Sequence, residues 1–419
     1  SIDYWKDNYY IWDFDGDCVS EILISFDGGA ILSNSYGMVR MYYGWPGNKT
    51  YMVMGDVDAD GKPEIAGFLS TGHFVVVEES TFEKTHKGLA YYMPTVARNY
   101  DLLGNITRGI IETFDVDSDG TEEIFVSNGT NIVGFSVKNN SVFLNVSLDM
   151  EIREILYGDL LGLGCNSTIV VYDDFNVTAI NMSGGIIFSV MVTSPPYPIL
   201  RAFVGNFLGS TDVIMVVTGR TVYIVKSDGG SSIFCRVETY PYPIVGDFDG
   251  DGILQLAYKE YRTGSLIVRD KNGYVAWSTV VNGTEVNNYT WDIFALDYNG
   301  DGMDDIGYTD AHGKIVIYNG KDGSILAEIT TGIESFGLWM GMDRSFGGTG
   351  NVAVKYAGYG LYIFDSLGNT LYEFEDESTN GYWHLSIDDG PYYISWTPSK
   401  IYGTNTSNMH IYLPLQDEI

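Results

Sequence analysis

The chain has 419 residues, 45% of them hydrophobic, enough for two or three ordinary domains or for one long repeat array. Its 50 glycines and 32 tyrosines favour short strands and turns, and no stretch sustains a helical periodicity. A formal charge of −32 without a basic stripe argues against nucleic acid and anionic membrane surfaces as partners, and no apolar run is long enough to span a membrane.

In chain order, the first informative stretch is DFDGDCVSE, which places Asp13, Asp15, Asp17 and Glu21 at its positions 1, 3, 5 and 9. The same pattern returns in DVDADGKPE (Asp56, Asp58, Asp60, Glu64) and in DVDSDGTEE (Asp115, Asp117, Asp119, Glu123). It returns twice more, in DFDGDGILQ (Asp247, Asp249, Asp251, Gln255) and DYNGDGMDD (Asp297, Asn299, Asp301, Asp305). Four of the five have glycine at position 6, where a sharp turn lets the backbone fold around an ion. Carboxylates this close repel one another, and a hard divalent cation is the usual counter-charge. Alternate side-chain oxygens, a backbone carbonyl near position 7 and a closing oxygen make a calcium loop. The pattern predicts up to five structural Ca²⁺ ions.

The helical calcium loop is excluded because it needs a bidentate glutamate at position 12, and here that position holds Ile24, Gly67, Val126, Tyr258 or Tyr308. Each loop runs instead into a short apolar segment, EILISF, EIAGFL, EIFVS, QLAYKE or DIGYTD, that reads as a strand.

Degenerate copies around Asp159, Asn206 and Asp343 fill the gaps, so first positions recur every 41 to 59 residues over nearly the whole chain. Each period divides into four strand candidates; in the seventh these are WDIFALDY, DDIGYTD, GKIVIYNG and SILAEITT. Periods of this size holding four antiparallel strands predict an all-β fold, a β-propeller with calcium loops between the first and second strands of its blades. Eight blades are expected, with seven or nine as alternatives. Residues 1–380 form the repeats, and 381–419 form a tail that is a ninth blade, part of a closing blade or an intermolecular arm.

The D-x-[DN]-x-D-G-x-x-[DE] loops in this setting resemble the FG-GAP repeats of integrin α-subunit propellers and the related VCBS-type repeats of microbial surface proteins. The resemblance spans about residues 9 to 375. It implies structural calcium on one face of the ring at the five intact loops.

The compartment is read from glycosylation sequons. Eleven occur, at Asn48, Asn105, Asn128, Asn139, Asn145, Asn166, Asn176, Asn181, Asn282, Asn288 and Asn405, against the roughly three or four that composition alone gives. The chain starts at Ser1 without a leader, as a processed protein would. Cys18, Cys165 and Cys235 allow at most one internal disulfide, so no disulfide framework is expected. Together with calcium, which is abundant outside cells, the sequons predict an extracellular glycoprotein, secreted or displayed on a surface.

No catalytic motif is present: the five histidines are scattered, and there is no nucleophile elbow, phosphate loop or dinucleotide fingerprint. The expectation is a non-enzyme; were the chain a propeller-type polysaccharide lyase, His312 and Lys314 near the seventh loop would be its local candidates. No sequon lies between Asn288 and Asn405, and that stretch is dense in aromatics. Tyr392, Tyr393, Trp396 and Tyr402 are the candidate contacts for a protein or a sugar. The predicted function is an adhesion or assembly scaffold whose partners are other surface proteins, copies of itself or extracellular glycans, with a lectin as the alternative.

Overall fold

A computed structural model describes side chains over residues 110–163, 168–237, 243–260, 263–281, 293–310, 312–333 and 362–370, and at Val53, Asp56, Val57, Ala66, Val352 and Val354; in the remaining strands it describes the backbone alone. The strands form eight antiparallel sheets, each in simple chain order. Their first strands are Tyr9–Trp12, Met52–Gly55, Ile110–Phe114, Glu154–Gly158, Ile199–Gly205, Tyr242–Gly246, Ile293–Leu296 and Gly337–Met342. Seven sheets have four strands. The seventh runs Ile293–Leu296, Asp305–Thr309, Ile315–Tyr318 and Ile325–Ile329, in the four segments expected from the sequence.

Within a sheet, burial is greatest in the second strand and least in the fourth. The second strands Glu123–Ser127, Thr168–Tyr172, Val213–Thr218 and Asp305–Thr309 are buried at every residue. They are covered on both faces, which explains their continuous β-branched and aromatic runs. The fourth strand Val275–Val280 alternates between exposed and partly covered residues, and Ser141–Ser147 is mostly exposed with Leu144 buried, as one-sided strands are.

The core lies between sheets. Phe114, Phe125, Ile132 and Leu144 of the third sheet pack with Ile155, Ile169, Val171 and Ile180 of the fourth in one buried cluster. The same arrangement joins the fourth sheet to the fifth, the fifth to the sixth, the sixth to the seventh and the seventh to the eighth. Full burial of one such aliphatic or aromatic side chain contributes about 1.5–3 kcal/mol, so each blade junction adds to the stability. Inner strands also approach one another across junctions, Met52–Gly55 with Ile110–Phe114 and Tyr242–Gly246 with Ile293–Leu296 among them.

Pairing between third and fourth strands slips by one residue in seven sheets, at Leu32/Ser33, Gly134/Phe135, Ala179/Ile180, Val222/Tyr223, Val268/Arg269, Ile317/Tyr318 and Ile363/Phe364. A bulge there bends the outer strand and strengthens the twist. The eighth sheet continues past Thr370–Glu377 through Tyr382–Ile387, Gly390–Ser395 and His410–Tyr412, which pair on in turn to make seven strands.

Candidate metal centre

All five acidic loops join the first strand of a sheet to its second. Asp13, Asp15, Asp17, Asp58 and Asp60 lie outside the described residues, and of Glu21 and Glu64 the structure describes the backbone alone. Asp56, the complete third and sixth loops and the complete seventh loop are described.

These three loops share one construction. The position-1 aspartate uses both oxygens to fold the turn: Asp247 Oδ1 accepts from the N–H groups of Gly250 (2.9 Å) and Asp251 (3.1 Å), and Oδ2 accepts from Gly252 (3.0 Å). Asp297 does the same for Gly300, Asp301 and Gly302, and Asp115 for Asp119 and Gly120. The position-5 carboxylate caps the N–H two residues on, as Asp119 does for Thr121, Asp251 for Ile253 and Asp301 for Met303. Gly120, Gly252 and Gly302 have φ of +81°, +78° and +85°, with nothing within 4 Å of where a Cβ would stand. Glycine is required there by backbone conformation, not by space.

Oxygens converge as a cation would need. One oxygen each from Asp115, Asp117 and Glu123 lie within 4.8 Å of one another, as do those of Asp247, Asp249 and Asp251. The position-9 side chains are buried beneath the loops. Glu123 is 5% exposed and gives one oxygen to the Val116 N–H at 3.3 Å. Asp305 is 1% exposed; its Oδ1 accepts from Gly320 at 3.2 Å, and its Oδ2 is buried without a hydrogen-bond partner. Burial, reinforced by the neighbouring aspartates, pushes the Glu123 carboxyl up to about 7 and that of Asp305 up to about 6. The converging donor set of these turns is all oxygen, which suits a hard cation such as Ca²⁺.

Gln255 departs from the expected role. Its one carboxamide oxygen accepts from the Phe248 N–H at 2.6 Å, and its Nε2 donates to Asp249 at 2.8 Å. A carboxylate at position 9 has one oxygen for the backbone and a second for the ion, whereas the amide has a single oxygen to serve both.

Two further contacts carry no motif. Lys138 Nζ lies 2.8 Å from Asp119 Oδ2 and Lys271 Nζ lies 3.1 Å from Asp251 Oδ2, each lysine standing in the turn between third and fourth strands of its sheet. The hydrogen bond from Lys138, then that from Thr121, holds the Asp119 carboxyl below its usual range. At sheet junctions, the residue before the second strand bonds back to position 1 of the preceding loop: Glu122 N–H to the Asp56 carbonyl (2.8 Å), Leu254 to Asn206 (2.8 Å) and Asp304 to Asp247 (3.0 Å). Asp159 N–H donates to Asp212 Oδ2 at 2.8 Å in the same place. The sequence signal for these ties is the glycine that ends the preceding strand: a Cβ on Gly158 or Gly246 would stand 2.9 or 2.8 Å from the Asp212 or Asp304 carboxylate.

Among the remaining candidates, Asn139 and Asn145 are exposed and Asn128, Asn176 and Asn181 are partly exposed; Asn48, Asn105, Asn166, Asn282, Asn288 and Asn405 lie outside the described residues. Tyr392 and Tyr393 fall in Gly390–Ser395, described by backbone only, and Trp396 and Tyr402 lie outside the described residues. Cys235 is a buried free thiol whose burial pushes it up to about 11. His312 and Lys314 occupy the turn after Asp305–Thr309, at the opposite end of that strand from the seventh acidic loop, and Lys314 pairs with Glu328 at 3.0 Å. Five strand residues, about 16 Å, separate them from the loop they were expected to serve.

A cavity of about 440 Å³ opens where inner strands meet, lined by Glu112, Glu154, Tyr157, Phe203, Asp212 and Val245 among others. Tyr157 is 43% exposed there and stacks on Phe114, their ring centroids 4.2 Å apart. No helix among the described residues is long and apolar enough to cross a membrane.

No protein-family model and no curated protein matches the chain. Solved structures do. Saccharomyces cerevisiae Sqt1 is 11% identical with a TM-score of 0.55, over 85% of this chain and 98% of that one. An Agrocybe aegerita lectin that recognises non-reducing terminal N-acetylglucosamine is 14% identical with a TM-score of 0.51, over 77% of this chain and 93% of that one. The C-terminal WD40 domain of Sif2 is 10% identical with a TM-score of 0.50, over 86% of this chain and 92% of that one. At such identities the likeness shows the fold alone, and with the eight sheets it makes the chain a β-propeller.

Proposed function

We propose that this chain is an extracellular, N-glycosylated and calcium-stabilised propeller of the FG-GAP and VCBS-like type, acting as an adhesion or assembly scaffold. The observation that carries the calcium reading is the convergence within 4.8 Å of one oxygen each from Asp115, Asp117 and Glu123, and from Asp247, Asp249 and Asp251, in a turn that three loops build alike. Asp115, Asp117, Asp119 and Glu123 would hold one ion, Asp247, Asp249 and Asp251 with Gln255 a second, and Asp297, Asn299, Asp301 and Asp305 a third. The loops at Asp13 and Asp56 supply the same residue types. Calcium there neutralises charge and fastens the first strand to the second, so the ion is structural and the chain is assigned no catalytic step. The distance of His312 from the seventh loop counts against a lyase built on that pair.

Partners are other surface proteins, further copies of the chain or extracellular glycans, met through the sequon-free C-terminal sector. The test is the solution mass of the glycosylated protein with calcium and after its removal. A calcium-dependent assembly supports a scaffold, whereas a monomer under both conditions removes the assembly role.

The second reading, a lectin, is favoured by the cavity between the inner strands. Tyr157 and Phe203 offer rings for sugar stacking, and Glu112, Glu154 and Asp212 offer acceptors for hydroxyl groups. Glycan-array binding that Tyr157→Ala abolishes would establish it.

A further inference from the structure

We infer that Lys138 and Lys271 are built-in competitors for the cation of their own loops, and that they set those two sites to weaker binding than the turns alone would give. The inference rests on the calcium reading above. In both loops the position-5 carboxylate has one oxygen committed to the turn, Asp119 Oδ1 to the Thr121 N–H at 2.8 Å and Asp251 Oδ1 to the Ile253 N–H at 2.9 Å. One oxygen remains for an ion. In both loops a lysine ammonium sits on it, at 2.8 Å from Asp119 Oδ2 and 3.1 Å from Asp251 Oδ2.

The two lysines come from different sheets, and each reaches the acidic loop from the outer turn of its own sheet. Lys138 also donates to Thr121 Oγ1 at 3.1 Å, so its ammonium bridges positions 5 and 7 of the loop. A divalent cation taking that carboxylate oxygen must displace the ammonium or stand beside it against like-charge repulsion. The lysine side chains are 42% and 47% exposed, so a displaced ammonium passes directly into water.

The seventh loop gives the contrast. There Asp301 Oδ2 accepts from Asn299 Nδ2 at 2.9 Å, a neutral donor on a residue that is itself a ligand candidate. Rotating the Asn299 amide frees both oxygens without moving any charge. There the position-5 oxygen carries a neutral partner, whereas the third and sixth sites stay closed by their lysines until the ion concentration is high. In ion-free protein the ammonium groups perform the neutralising role that the ion later takes.

The test is calcium titration calorimetry on the full chain and on Lys138→Met, Lys271→Met and Lys226→Met. Lys226 stands in the equivalent turn of the fifth sheet, whose loop around Asn206 lacks the ligand pattern, and so controls for net charge. An exposed ion pair of this kind converts to a change in affinity of about 1.4-fold to fivefold. Lys138→Met and Lys271→Met should each tighten one site by about that factor with unchanged stoichiometry, and melt earlier than the parent in calcium-free buffer; Lys226→Met should alter neither property. Affinities unchanged or weakened in the first two, or tightened equally in all three, would overturn the inference while leaving the calcium sites standing. A parent chain that takes up no calcium would end both.

Discussion

Asp304 and Asp247 hold each other across the junction of the sixth and seventh sheets. The Asp304 N–H donates to the Asp247 carbonyl at 3.0 Å, and the Asp247 N–H donates to Asp304 Oδ2 at 2.9 Å. Asp247 is also position 1 of the sixth acidic loop, so the turn that would hold an ion is fastened to the next blade by its own backbone.

Asp304→Ala removes the acceptor and leaves the Asp247 N–H unpaired in a half-buried place, a loss of about 1–2 kcal/mol. Asp304→Asn keeps an oxygen there and sheds a carboxyl that burial pushes above its usual range, against the hydrogen bond from Asp247. In calcium-free buffer the asparagine variant should melt at or above the parent and the alanine variant below it, as differential scanning calorimetry would read.

Gly246 allows that approach. A Cβ there would meet Asp304 Oδ2 at 2.8 Å and the Phe248 ring at 2.9 Å. Gly246→Ala should therefore cost about 1–3 kcal/mol by overpacking. Combining it with Asp304→Ala should cost less than the two separate losses together, and a fully additive double mutant would show that the two do not meet.

Stability without calcium should fall as pH rises. Glu123 moves from 4.5 to about 7 and Asp305 from 3.8 to about 6, so the folded chain keeps protons that the unfolded chain has released. Their destabilising effect is absent below pH 3.8, grows through the interval and is complete above about 7. Metal-free protein should lose melting temperature over this window. In saturating calcium the trend should vanish or reverse, because the ion holds both groups ionised and protons then compete with it. A melting temperature independent of both pH and calcium would contradict the assignment of these carboxyls.

Gln255→Glu should turn the sixth loop into a stronger site. One new oxygen would keep the Phe248 N–H bond, now accepted through Gln255 Oε1, and the second would face Asp249 where Nε2 now donates. Calcium affinity at that loop should rise about tenfold, while the metal-free variant should be less stable for gathering a fourth carboxylate. Titration calorimetry and a calcium-free melt check the two halves separately.

The fold was legible because its signals are local and repeated. The Asp-Gly turns fix where first strands end and second strands begin, and the continuous apolar runs such as VIMVVT mark strands covered on both faces. The spacing of the acidic residues within each turn was legible for the same reason. What could not be read were relations between periods and between turns of one sheet: the Asp304 tie to Asp247, the Glu122 tie to Asp56, and the lysines that reach Asp119 and Asp251. Those depend on how neighbouring blades and hairpins are set in space, and a single residue such as Lys138 carries no pattern. The hydrogen bonds of Gln255 were not legible either, since glutamine and glutamate match in shape but differ in how many oxygens they can share out.

The most direct measurement is the calcium content of the purified chain together with its melt in calcium and after stripping. The account predicts several bound ions per chain and a melting temperature that drops when they are removed and returns when calcium alone is restored. A chain that retains no ion and melts at the same temperature in both buffers would contradict it.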